Sequence, residues 1–168
     1  MKELSDDELY VTYWSKSRPP FDSNKIQIIL GDPFLNFSKP QCAFWGSPVN
    51  SNFGWKEWCE REEFGDYDWD SPIYFKLKVN STILKIDIED LREEVLGKYV
   101  ANCKNFPFNC RYLNHLDFSK MVEDGIDAVQ LMDGNLGHYF IDNDYEFIFN
   151  SWDCESIVVL NKDVIEFV

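Results

Sequence analysis

Late in the chain, Trp152-Asp153-Cys154-Glu155 run straight into the apolar residues 157–160. Two carboxylates, an indole and a thiol at the mouth of a strand are more than packing requires. Two other segments share this character. Thr12-Tyr13-Trp14-Ser15 ends a β-rich run, and Phe44-Trp45-Gly46-Ser47-Pro48 ends an apolar run in a small-residue turn. If these strand ends meet, they form a cleft with hydroxyls, aromatic walls and a carboxylate. That inventory suits a sugar-like or nucleotide ligand. It suits cleavage at an anomeric carbon especially, because a fixed carboxylate stabilises the oxocarbenium-like charge that develops there.

Each of these residues also has a plainer reading. Glu155 suits a solvated strand end, and Asp153 and Ser47 suit turns. Tyr13 and Trp45 suit a core. Cys154 reads as a small buried hydrophobe, since no basic neighbour in sequence would lower its pKa. Other chemistries have thinner support. The chain has two histidines, His115 and His138, and no CxxC pair. A zinc set of Cys103, Cys110 and His115, or a Cys154–His138 nucleophile pair, would have to be assembled from distant positions. No GxGxxG or GxxxxGK[ST] run is present, which disfavours Rossmann and P-loop nucleotide sites.

Composition narrows the partners. The 168 residues fit one domain, 1–168, and carry 16 basic against 30 acidic side chains, a net charge of −14. Such a surface repels phosphate backbones, so binding of bulk nucleic acid is disfavoured and a basic protein partner fits better. The stretch EREEFGDYDWDS at 60–71 is acidic and aromatic and suits masking a basic surface. Five cysteines, an odd number, with no hydrophobic leader and no bilayer-length apolar run point to a reducing, cytoplasmic setting with free thiols and no membrane.

The elements that must position these groups are short. Strands are expected at 9–14, 26–30, 42–45, 128–132, 138–141, 145–149 and 156–160, with an edge strand at 164–168. Residues 73–79 and 82–86 alternate apolar and polar with period two and flank Asn80-Ser81, which predicts a hairpin. Helical spacing appears over 53–64 (Trp55, Trp58, Cys59), where Ser51 or Asn52 would cap, over 91–99, and over 116–123 with Asp124-Gly125 as its stop. Residues 101–114 read as irregular. This mixture without a βαβ rhythm argues for an α+β domain with a largely antiparallel sheet.

The layout resembles the ADP-ribosyltransferase superfamily, the fold of diphtheria- and cholera-like toxins. The late run Glu155-Ser156-Ile157-Val158-Val159-Leu160-Asn161 with Val164-Ile165 is similar to the family's late strand, which opens on a catalytic Glu. Gly125-Ile126-Asp127-Ala128-Val129 is similar to the strand that precedes it, and Phe44-Trp45-Gly46-Ser47 to the aromatic-x-Ser signal of the second element. Where the family's first strand has His or Arg, this chain offers Thr12 or Tyr13. Arginine-modifying members have Glu or Gln two residues before the catalytic Glu, and this chain has Asp153.

The resemblance implies split β-sheets with flanking helices and NAD, as a substrate, in the cleft between them. Glu155 would hold the 2′-hydroxyl of the nicotinamide ribose, favouring the transition state. Ser47 would position that ribose, and Tyr13, Trp45 or Trp152 would stack on nicotinamide. Asp153 would orient or deprotonate the nucleophile. The implied activity is transfer of ADP-ribose to a macromolecular target, chiefly protein, as a phage or bacterial effector or toxin does. A NAD glycohydrolase and an acidic, non-catalytic inhibitor are the alternatives.

Overall fold

A computed structural model describes residues 8–26, 40, 43–86, 96–102, 114–132 and 152–168. The expected strands at 138–141 and 145–149, most of that at 26–30, and the cysteines at 42, 103 and 110 lie outside the described residues.

The apolar runs form the strands β1 (Tyr10–Thr12), β2 (Phe44–Pro48), β3 (Ile73–Leu77), β4 (Ile83–Ile86), β7 (Ala128–Leu131), β8 (Ser156–Val159) and β9 (Ile165–Phe167). They make one seven-stranded sheet in the order β4-β7-β8-β2-β1-β3-β9. Every pairing is antiparallel except β4 with β7. The fold is α+β, as the mixed pattern implies. β9 takes the edge position expected of it.

β7 and β8 are buried along their whole length, because both faces of this part of the sheet are covered. Helix α2 (Leu96–Tyr99) and helix α3 (Phe118–Glu123) cover one face, where Tyr99, Phe118 and Met121 pack with Val129, Val158 and Trp152. On the other face Tyr10, Phe44 and Phe75 pack with Ala128, Ile157 and Val159. A central strand buried on two sides can be apolar throughout, which is why neither segment alternates.

Long side chains reach across several strands of the sheet. β7 and β1 are three strands apart, which in a flat sheet is roughly 14 Å. Yet the Tyr10 hydroxyl donates to Gln130 Oε1 at 3.1 Å. Gly46, in β2 between them, leaves room for the Phe75 ring over the strand. A Cβ there would lie 2.7 Å from the Phe75 ring and 3.0 Å from the Val11 carbonyl oxygen. Phe75 is fully buried against Tyr10 and Phe44 and has little room to move. Gly46→Ala is therefore expected to destabilise the fold by about 1–3 kcal/mol. Urea denaturation checks this, and an unchanged midpoint would contradict it.

Gln130 also ties the chain's early segment to the sheet. Its Nε2 donates to Glu8 Oε1 at 3.1 Å, while Lys85 Nζ donates to Glu8 Oε2 at 2.7 Å. Burial works against the charge on Glu8, but the Lys85 and Gln130 hydrogen bonds outweigh it and hold the carboxyl below its ordinary range. A depressed carboxylate contributes stability that is present above its unfolded pKa and lost as pH falls through the folded one. Glu8→Gln should cost about 1–3 kcal/mol at neutral pH and flatten the acid limb of the stability curve. Parallel acid limbs in the two proteins would contradict this.

Three expectations are corrected. The strands at 73–77 and 83–86 form, but not as a hairpin with each other. β3 pairs with β1 and β9, whereas β4 pairs with β7, so the link between them carries the chain from one end of the sheet to the other. Of the stretch 101–114 expected to be irregular, residues 101–102 and 114 belong to strands β5 (Val100–Asn102) and β6 (Asn114–Leu116), a separate two-stranded ribbon, and 103–113 lie outside the described residues. Helix α1 (Trp55–Arg61) lies where helical spacing places it. Its N-cap is Gly54, not Ser51 or Asn52, and the Glu57 carboxylate accepts from the Gly54 N–H at 3.0 Å. Asp117 caps α3 through the Lys120 N–H, and Gly125 follows in the left-handed conformation that stops it. Among the described residues no helix is long and apolar enough to cross a membrane.

Candidate functional site

Three neighbouring strands bring the polar segments together. β8 pairs with β2 (Gly46 opposite Ile157) and β2 pairs with β1 (Val11 opposite Ser47). The residues that end and follow β1, those of β2 and the lead-in to β8 all border one cavity of about 560 Å³. This is within the roughly 300–1,000 Å³ of small-molecule sites. Thr12, Tyr13, Trp45, Trp152 and Asp153 all line it, five of the seven residues picked out in the sequence.

The other two lie elsewhere. Ser47 is buried and its hydroxyl accepts from the Trp55 N–H at 3.0 Å, so it anchors the first turn of α1. With Tyr13 it borders a smaller adjoining cavity of about 100 Å³. Glu155 is half-buried, and its own N–H donates to the Phe53 carbonyl at 3.0 Å, tying the β8 entrance to the loop before α1. Its neighbours Cys154 and Ser156 are wall residues, and Glu155 is not. The chain bends at 154–155, just before β8 begins. Asp153 is the carboxylate among the wall residues.

The walls are aromatic and mutually braced. Trp45 meets Trp152 edge-on at 4.8 Å, and Trp152, only 1% exposed, lies parallel to Phe118 at 6.5 Å. Tyr13 meets Trp69 edge-on at 4.9 Å. The loop after α1 closes the far side and adds Phe64 and Tyr67. It is stitched to the end of β1 by the Lys16 N–H on the Asp66 carbonyl at 2.8 Å and the Asp68 N–H on the Trp14 carbonyl at 3.0 Å. Burial, with Tyr74, Glu57 and Glu60 adding negative potential, pushes the Tyr13 phenol up. Tyr13 therefore keeps its proton at neutral pH and acts as a hydrogen-bond donor. Among the described residues Arg18 is the one cation in the wall. It is exposed, with its guanidinium 5.4 Å from the centre of the Trp14 ring.

Spacing alone did not point to Arg18, Trp55, Phe64 or Tyr67. The available signal was the aromatic run over 64–69, which was read as surface. Neither described free thiol is an activated nucleophile by position. Cys154 is buried in the cavity wall, and burial beside Glu60 pushes Cys59 up to about 11. Among the described residues no cluster of three His, Cys, Asp or Glu is placed to hold a metal. Compared with family models, curated proteins and solved structures, the chain matches none.

Proposed function

We propose that the chain is a NAD-dependent ADP-ribosyltransferase acting on a protein target. The observation that carries this reading is one aromatic cavity lined from the end of β1, from β2 and from the lead-in to β8, with a carboxylate in its wall. The family resemblance implies a cleft between split sheets, whereas the described strands β1–β4 and β7–β9 form one sheet and the cavity lies against it. Trp45 and Tyr13 offer faces for a nicotinamide ring, whereas Trp152, 1% exposed between Trp45 and Phe118, braces the wall from behind. Arg18 at the rim offers a cation for the diphosphate.

The charge-stabilising role goes to the carboxylate that faces the cavity. Asp153 would sit against the nicotinamide ribose as positive charge develops, binding the transition state more tightly than the ground state. Glu155, the residue named by the resemblance, borders the mouth two positions on and supports the entrance through its backbone. Ser47 holds α1 in register beneath the site.

A non-catalytic acidic binding protein is the second reading. The position of Glu155 outside the wall favours it. Incubation with adenylate-labelled NAD and a cell lysate separates these outcomes. Label on protein supports the transferase, free ADP-ribose alone supports a glycohydrolase, and intact NAD leaves the binding protein.

A further inference from the structure

At the cavity mouth, α1 and the turn after it present aromatic rings to the outside. Trp55 and Trp58 stack at 5.0 Å, and Phe64 packs edge-on against both at 6.0 and 5.2 Å. Phe64 is 50% exposed, among the most exposed large apolar side chains described. Trp55 and Phe64 also line the cavity, so patch and cavity are continuous. Exposed carboxylates rim the rings: residues 57–66 hold Glu57, Glu60, Glu62, Glu63 and Asp66 against one cation, Arg61. An aromatic centre inside a charged rim is the anatomy of an energetic interface.

We propose that this surface docks an arginine-rich segment of a protein partner and holds it over the cavity mouth. Charge chooses a basic occupant, since the rim is acidic and the whole chain carries −14. The rings choose arginine over lysine, because a guanidinium stacks flat on an aromatic face while pairing sideways with carboxylates. The chain already uses this pairing at the same surface. The Arg61 guanidinium lies 4.5 Å from the centre of the Phe53 ring and pairs with Glu62 at 2.7 Å. The docking does not rest on NAD cleavage, and it is read with no nucleotide present.

The test uses two fluorescent eight-residue peptides, four Arg-Ala repeats and four Lys-Ala repeats, followed by anisotropy. Wild type is expected to bind the arginine peptide about fivefold tighter than the lysine peptide. Phe64→Ser should weaken the arginine peptide about tenfold with no change in charge. The pair Glu60→Gln and Glu63→Gln should weaken it too, whereas Glu123→Gln with Glu166→Gln, exposed carboxylates on other elements, should not. Phe64 is half exposed, so its loss spares the core, which circular dichroism confirms. Equal binding of the two peptides, no binding, indifference to Phe64→Ser, or equal weakening by the distant pair would each overturn the proposal.

Discussion

Asp153→Asn is expected to lower NAD turnover about 100- to 1,000-fold with little change in NAD affinity. The substitution keeps the side chain's size and much of its hydrogen bonding and removes only the charge. An interaction made mainly with developing positive charge is lost from kcat and barely from binding. Asp153 is the carboxylate among the residues lining the cavity, and Glu155 lies outside that wall. Glu155→Gln should therefore reduce turnover less than about tenfold, the size of a supporting effect. The reverse ranking, with Glu155→Gln the more damaging, would return the charge-stabilising role to Glu155. Single-turnover release of nicotinamide separates the two.

Trp152→Ala should carry the largest stability cost, about 3–5 kcal/mol. Trp152 is 1% exposed and touches two structures at once. It packs on Trp45 of β2 and lies parallel to Phe118 of α3, within the cluster that holds the helices to β7 and β8. Truncation leaves a void beneath the cavity floor that neither neighbour can fill without giving up its own packing. Domains are stable by roughly 5–15 kcal/mol in total, so the variant would stand near the edge of folding. Trp152→Phe keeps a ring against Phe118 and should lose less than half as much. Thermal unfolding of both variants measures the difference, and equal losses would contradict the stacking argument.

How much of this was legible in the sequence depends on how local each cause is. The segments 12–15, 44–48 and 152–155 could be picked out because they set polar and aromatic residues beside apolar runs, although Phe44, Trp152 and Cys154 belong to the core. Their meeting could not be read, since the adjacency of β1, β2 and β8 is set by pairing across more than a hundred residues. Helix α1 was visible in the spacing of Trp55, Trp58 and Cys59. Its cap was not, because the Trp55 N–H is satisfied by Ser47 of β2, eight residues earlier, and the Gly54 N–H by Glu57 within the helix.

The hairpin at 73–86 failed for the same reason. Alternation tells which residues face a core but not which strand lies beside them, and β4 finds a parallel partner in β7. Glu155 is the instructive case. Its position before an apolar strand marked it, yet one residue of alternation decides which side of the wall it takes. Sequence pattern does not fix that register where the strand begins in a bend.

The most direct test is a crystal soaked with NAD. The nicotinamide ribose should lie in the cavity between Trp45, Trp152 and Thr12, with Asp153 within hydrogen-bond distance of its hydroxyls and Arg18 at the diphosphate. NAD bound at any other surface, or a cavity that stays without nucleotide at millimolar NAD, would contradict it.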